Sequence, residues 1–461
     1  MIQNYDAIVI GTGQSGPSLA KSLCQKGNRV AVVEQGHFGG SCINYGCTPT
    51  KALVANAKIV QSIRQAKTFG VTIDQFQIDY KVIKARKDVL VKDGTEWVKN
   101  SLQSTEGCTV LEGHAFFEGP HRIKVGEQLL EGNQIFIDVG ARPNIPQIVG
   151  LQKIPYLTNA SLLDLDYVPE HLLILGGGYI GLEFAQIFRR FGSKVTVIQR
   201  NPFLMPKEDQ DISSAIQDIL EKEGIEFYTA ATQLKILPES QEGKILVKLV
   251  QNGKDQTVSG THLLIATGRV PNTDTLNLDK AGIEVDERGY IKVDDQLSTS
   301  QAHVWALGDC NGKGAFTHTS YNDFEIVKAN LLENGSRKVS DRIPIYALFT
   351  DPPLGRVGLT EKDARHLYGD VLVAKLPMTS IARAREKGET EGFLKIVTDG
   401  KTKQILGAAF LGTTCDEVVQ LIAVIMAAKV PYTVIERTVL IHPTVSEFLP
   451  TLLSKLTGEA K

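Results

Sequence analysis

Ala7-Ile-Val-Ile10 runs directly into Gly11-Thr-Gly13-Gln-Ser-Gly16, followed by a helical stretch to Gly27 and a strand, Val30 to Val33, that ends at Glu34. This is the order of a dinucleotide-binding unit: strand, tight turn, helix, strand. Gly11 permits the turn, Gly13 lets a pyrophosphate approach the backbone, and Gly16 lets helix and strand pack closely, with the helix N-terminus facing the phosphates. Glu34 stands where an acid holds a ribose hydroxyl. Its other reading is a solvated carboxylate at a strand end.

The pattern returns downstream. Leu172-Leu-Ile-Leu175 leads into Gly176-Gly-Gly178-Tyr-Ile-Gly181, an apolar-periodic helix to Gly192 and a strand, Val195 to Ile198, followed by Gln199 and Arg200. The registers coincide, because Gly27 and Glu34 fall at the same offsets from Gly11 as Gly192 and Gln199 do from Gly176. Two such units imply two dinucleotides, and a nicotinamide with a flavin is the usual reason an enzyme needs both. Replacing the acid by Gln199-Arg200 removes a negative charge and adds a positive one where a 2′-phosphate sits, so the second site is expected to prefer NADPH over NADH. The alternative is an ordinary exposed arginine beside an NADH site.

At 461 residues the chain fits two or three domains. The 50 Lys and Arg against 52 Asp and Glu leave no excess positive field, which argues against nucleic-acid and membrane partners. There is no basic leader and no apolar run of membrane-spanning length, so a cytoplasmic protein is expected.

Six cysteines stand at positions 24, 42, 47, 108, 310 and 415. Only Cys42 and Cys47 are close in sequence; the other four read as isolated. Residues five apart on a regular helix have Cα atoms about 8 to 9 Å apart, beyond the limit of about 7 Å for a disulfide. A Cys42–Cys47 bridge therefore needs an irregular turn. Gly46 supplies the freedom, Thr48 is the expected N-cap and Pro49 the expected first helical residue, which sets Cys47 just before a helix N-terminus that favours a thiolate. Zinc is the competing reading, but no second ligand pair follows. A merely structural pair is another.

The stretch Gly39-Gly-Ser41-Cys42-Ile-Asn-Tyr-Gly-Cys47-Thr-Pro-Thr-Lys51 resembles the active-site segment of the flavoprotein disulfide reductases, the group of glutathione reductase, dihydrolipoamide dehydrogenase and mercuric reductase. The resemblance extends through Val139-Gly140-Ala-Arg142, Ala266-Thr-Gly268-Arg269, Ala306-Leu-Gly-Asp309-Cys310, Phe316-Thr317-His-Thr-Ser and Ile441-His442-Pro-Thr-Val-Ser-Glu447. It implies an α/β chain of two Rossmann-like domains and a C-terminal α+β dimerisation domain. The expected division is 1–157 and 277–342 for FAD, 158–276 for NAD(P)H and 343–461 for the interface.

By the same resemblance, Gly11, Gly13, Gly16, Glu34, Ser41, Lys51, Gly140, Asp309 and Thr317 hold FAD. Gly176, Gly178, Tyr179, Ile180, Gly181, Glu183, Gln199, Arg200 and Gly268 hold the nicotinamide dinucleotide. Lys51 pairs with Glu183 beside the flavin, and Tyr179 gates the nicotinamide pocket. Cys42 is the interchange thiol and Cys47 the thiolate next to the flavin. His442, held by Glu447, comes from the opposite subunit of a homodimer and protonates the leaving thiolate. No metal ligand set is implied.

Cys47-Thr-Pro-Thr-Lys51 and Ala382-Arg383-Ala-Arg385-Glu look most like the mercuric-reductase branch. However, the chain ends Leu456-Thr-Gly-Glu-Ala-Lys461 without paired cysteines, and His442 stands where those enzymes carry tyrosine. The expected substrate is therefore a small disulfide or another oxidised-sulfur species, including a hypohalous-type oxidant. Mercury, or service as a dihydrolipoamide dehydrogenase component of a multienzyme complex, is the alternative. Arg383 and Arg385 read as an anion-holding pair or, more simply, as a solvated basic patch.

Overall fold

A computed structural model describes residues 2–238 and 243–458. The tail Glu459-Ala-Lys461, part of the stretch read as lacking paired cysteines, lies outside the described residues.

The first strand, Ile2–Ile10, lies parallel between Val30–Glu34 and Gln128–Ile137, with Ile10 opposite Val33 and Ile137. Val30 to Val33 are all buried, the continuous apolar run of a strand covered on both faces. The helix Gly16–Gln25 turns Leu19, Ala20 and Leu23 onto the sheet. Cys108–Glu112 extends one edge, and the antiparallel strands Arg122–Val125 and Ala115–Gly119 extend the other. Much later in the chain, Val304–Ala306 returns to pair in parallel with Gln128–Ile137. The first strand is longer than its apolar stretch suggests, since Ile2, Gln3 and Asn4 are exposed yet pair with Leu129, Leu130 and Glu131. Such backbone pairing leaves no periodicity to read.

The second unit repeats the plan. His171–Leu175, Lys194–Ile198, Glu226–Tyr228 and His262–Ile265 form a parallel sheet, and the helix Tyr179–Phe191 ends at Gly192, whose φ of +114° suits a residue without Cβ. An antiparallel meander of Thr232–Pro238, Ile245–Gln251 and Lys254–Gly260 stands beside it. A two-stranded ribbon, Ala141–Pro143 against Arg269–Pro271, joins the units just beyond their sheets.

The C-terminal region is a five-stranded antiparallel sheet built from Ile345–Leu348, Leu354–Gly358, Ile405–Leu411, Phe393–Asp399 and Val371–Pro377. Helix Cys415–Ala427 packs Val418, Val419 and Ile422 onto it. The strand Phe393–Asp399 carries a bulge between Val397 and Thr398. Asp399 then closes the turn by accepting from Lys401 N–H at 2.9 Å and the Thr402 hydroxyl at 2.8 Å. No helix among the described residues is long and apolar enough to cross a membrane.

Candidate active site

One cavity of about 1790 Å³ runs from the first glycine turn past Cys42 and Cys47 to the second. Gly140, Gly178 and Gly268 line it, and a Cβ on any of them would project into open space. The backbone there is bare where a ligand would lie against it. Gly16 and Gly181 do not line the cavity. Their ideal Cβ positions fall 2.5 Å from the Gly11 carbonyl oxygen and 2.1 Å from that of Gly176, so both are glycine to seat the helix against its own turn. Their contribution to a cofactor is indirect.

Glu34 holds the first turn itself: one oxygen accepts from Thr12 N–H at 2.9 Å and the Thr12 hydroxyl at 2.6 Å, the other from Gly36 N–H at 2.8 Å. Gln199 repeats one of these bonds with an amide, accepting from Gly177 N–H at 3.3 Å, while exposed Arg200 lines the cavity beside it. Lys207, overlooked in the sequence, lines the same end.

The cysteine segment departs from its expected capping. Residues Gly40–Asn44 form a short helix carrying Cys42, and the next helix, Cys47–Gln65, already begins at Cys47 with Gly46 as N-cap. Thr48 and Pro49 are thus inside the helix, and Cys47 is its first residue rather than the one before it. Gly46 is required by close approach, since a Cβ would lie 2.9 Å from Ser41 O and 3.4 Å from Cys42 Cα. This kink supplies the irregular turn a bridge needs.

The two thiols differ sharply in acidity. Cys42 acts as hydrogen-bond donor to Cys47, and with the Thr317 hydroxyl, 3.2 Å from Cys47 Sγ, and the Lys51 ammonium it lowers Cys47 to about 6 against the opposing effect of burial. Cys42 moves strongly upward, first because its proton is shared with Cys47 and then through burial. Near neutral pH the dithiol is therefore a Cys47 thiolate beside a Cys42 thiol.

Lys51 pairs with Glu183 at 2.7 Å, and the other Glu183 oxygen accepts from Phe349 N–H at 2.9 Å. Tyr179 meets Phe316 and Tyr346 edge-on at 5.6 and 5.5 Å. Burial pushes its hydroxyl up to about 12, and it stays neutral. Ser41, Ile180 and Asp309 also line the cavity. Arg269, quoted in a motif but given no role, lies 3.6 Å from Asp309 and donates to Ser41 Oγ at 3.3 Å. Burial pushes the Asp309 carboxyl up, against the pull of Arg269.

Asp138 was missed altogether. It is buried at the end of strand Gln128–Ile137 and accepts from Gly16 N–H at 2.7 Å. Its signal was available: a carboxylate directly after an apolar run, at the strand end where α/β sheets bind ligands. Its carboxyl is held well above the ordinary range by burial.

His442 lies outside the cavity. Its Nδ1 is 2.9 Å from Glu447, its side chain is 75% exposed, and Val439 and Ile441 beside it are exposed apolar residues. Arg383 and Arg385 are exposed and line no part of the cavity; Arg383 bonds Glu386 at 3.2 Å. Among the described residues no group of three or more His, Cys, Asp or Glu side chains could hold a metal ion.

Residues 5–323 match the family model for pyridine nucleotide-disulphide oxidoreductases, and residues 345–453 match the dimerisation domain of the same family. The chain belongs to this family. Its members use FAD with a pyridine nucleotide, and the bare glycine backbone along one continuous cavity fits both. The chain is 37% identical to the probable pyridine nucleotide-disulfide oxidoreductase RclA of Escherichia coli (strain K12), covering 98% of this chain and 99% of that protein. It is 32% identical to a mercuric reductase of Lysinibacillus sphaericus, covering 95% and 80%. The solved HOCl-induced flavoprotein disulfide reductase RclA from Escherichia coli superposes with a TM-score of 0.88 at 36% identity, over 98% and 99% of the two chains. The expected fold class and enzyme class are borne out: this is a flavoprotein oxidoreductase of the disulfide-reductase type.

Proposed function

We propose that the chain is an NADPH-dependent reductase of a small oxidised-sulfur or hypohalous-type oxidant, active as a cytoplasmic homodimer. The observation that carries this reading is the unequal thiol pair, Cys47 low and Cys42 high, set in a cavity shared by both dinucleotide turns. The HOCl-induced RclA, similar over nearly the whole chain, supports the oxidant class.

Bound FAD would take hydride from the nicotinamide and supply an electron pair to the Cys42–Cys47 disulfide. The remaining steps belong to the chain. Lys51, fixed by Glu183, puts a positive charge beside Cys47 and lowers the cost of its thiolate. Tyr179 closes over the nicotinamide pocket between Phe316 and Tyr346. Cys42 attacks the oxidised substrate sulfur and forms a mixed disulfide as the first thiolate leaves. Cys47 then attacks Cys42, expels the second thiolate and restores the disulfide. His442 of a second copy, oriented by Glu447, takes the Cys42 proton as that sulfur attacks and hands it to the leaving thiolate. Exposure of the dyad, the apolar residues beside it and the dimerisation-domain match support that placement.

Gln199, Arg200 and Lys207 favour a 2′-phosphate at the second turn. We keep the domain division at 1–157, 158–276, 277–342 and 343–461; the return of Val304–Ala306 to the first sheet supports assigning 277–342 to the FAD unit.

The test is anaerobic NADPH oxidation against glutathione disulfide, lipoamide, other small disulfides, hypothiocyanous acid, Hg(II) and Cu(II), with Cys42→Ser as control. Hg(II) and Cu(II) belong in the panel because a mercuric reductase and a Cu(II) complex of RclA are among the similar proteins. Cysteine-dependent turnover of one sulfur or hypohalous oxidant is the expected result. Turnover with a metal ion alone would overturn the substrate class.

A further inference from the structure

Cys24 and Cys108, isolated in the sequence, are neighbours in the fold. Cys24 stands in the last turn of helix Gly16–Gln25, and Cys108 opens the edge strand Cys108–Glu112. The backbone between them is fixed: Gly27 N–H donates to Cys24 O at 2.8 Å, and Val30 N–H to Gly107 O at 2.9 Å. A Cβ on Gly107, the residue before Cys108, would lie 3.9 Å from both Cβ and Sγ of Cys24. Both side chains are half-buried and pack on the same cluster of Leu19, Leu23, Val30 and Leu102, close enough to perturb each other's proton affinity. Neither lines the catalytic cavity.

A disulfide demands convergent side chains without backbone movement, and the anchored helix and strand bring these two cysteines to one patch of the core. We propose that Cys24 and Cys108 are a second redox site, a dithiol that closes to a disulfide when the protein meets a hypohalous-type oxidant. One sulfur attacks the electrophilic atom X of HOX, where X is a halogen or a thiocyanate group, and its proton leaves with hydroxide as water. The second sulfur displaces X from the first, and its proton leaves with X. Two thiols and HOX thus give one disulfide, water and HX, with the oxidant reduced by two electrons. Only the oxidant class rests on the reading of the active site; the nearness of the two cysteines does not.

The site is tuned against milder reagents. Burial pushes the Cys24 thiol up and the Cys108 thiol up to about 12, so little thiolate is present near neutral pH and exchange with ordinary disulfides is slow. Lys21 gives the Cys108 thiolate some support. Closure would tie the far end of the helix behind the first glycine turn to the sheet edge, and so stiffen the half of the fold that faces FAD.

The experiment uses the full-length FAD-loaded protein with Cys42→Ser and Cys47→Ser, exposed to one equivalent of hypothiocyanous acid, then intact mass and a non-reducing peptide map. The expected result is loss of two hydrogen atoms, a cross-linked Cys24–Cys108 peptide that dithiothreitol opens, no such product after Cys24→Ser, and at least tenfold slower cross-linking by glutathione disulfide. Oxygen adducts on separate thiols, intermolecular bridges, or untouched thiols after the oxidant is consumed would overturn the proposal. Equal rates with both oxidants would overturn its selectivity. Mapping the wild-type chain repeats the measurement without any substitution. NADPH turnover of hypothiocyanous acid, measured separately, reports on the active site alone, so the two readings fail independently.

Discussion

Gly11 and Gly176 take φ of +99° and +113°, and a Cβ on either would lie 2.3 Å from the carbonyl oxygen at the end of a neighbouring strand, that of Asp138 or Ala266. Six residues into each motif, Gly16 and Gly181 meet the same obstacle, the carbonyl oxygen of the first glycine. The turns share one backbone. Their surroundings differ: the first is ringed by Glu34 and Asp138, the second by Gln199, Arg200 and Ala266. Gly13 has the Asp138 carboxylate 2.8 Å from its Cβ position, whereas Gly178 has nothing within 4 Å. The glycines thus set the backbone of each turn, and in the proposed reading the strand-end side chains select the dinucleotide and its charge.

The shared backbone is the part hardest to change. Gly181→Ala and Gly16→Ala each force a methyl group into a carbonyl oxygen, and each should cost about 2 to 3 kcal/mol of stability, with loss of NADPH binding in the first and of FAD retention in the second. Denaturant titration and flavin content check this. Tolerance of alanine at both positions would break the equivalence.

The charge difference comes next in size. Writing the first motif's acid into the second, as Gln199→Glu with Arg200→Gly, should lower kcat/KM for NADPH roughly 100-fold, about 2.7 kcal/mol, and leave NADH equal or better. An unchanged NADPH-to-NADH ratio would mean these residues do not read the phosphate.

The smallest effect is expected at Asp138. Its folded-state pKa is raised, so the stability it allows is present below its unfolded value of about 3.9 and is lost as pH rises through the folded value. Asp138→Asn removes that loss while keeping an acceptor for Gly16 N–H. The variant should gain about 1 kcal/mol over wild type by pH 8, with the difference growing as pH rises. A difference that shrank with pH would mean the carboxylate is stabilised as an anion.

What the sequence made legible follows the same division. Both glycine turns, their helices and the strands that end at Glu34 and Ile198 were readable because each carries local punctuation. The Cys42–Cys47 spacing required a kink, and Gly46 provides one. Contacts made by the folding of distant segments were not readable. Asp138 reaches Gly16 across the sheet, Arg269 meets Asp309 and Ser41 from distant positions in the chain, and Cys24 approaches Cys108 only through strand pairing. The helix start at Cys47 rather than Pro49 was lost to a local competition, in which the preceding turn of helix 40–44 fixes Gly46 as the cap.

In the proposed mechanism electrons leave through Cys42 while Cys47 holds the charge. Its most direct test is anaerobic rapid mixing of NADPH with wild-type, Cys42→Ser and Cys47→Ser proteins, followed by oxidant. Cys42→Ser should be reduced at the wild-type rate, keep a long-wavelength absorbance and lose oxidant turnover; in the wild type that absorbance should fade below a pH of about 6, and Cys47→Ser should lack it. Undiminished oxidant turnover by Cys42→Ser, or the absorbance persisting in Cys47→Ser, would contradict that mechanism.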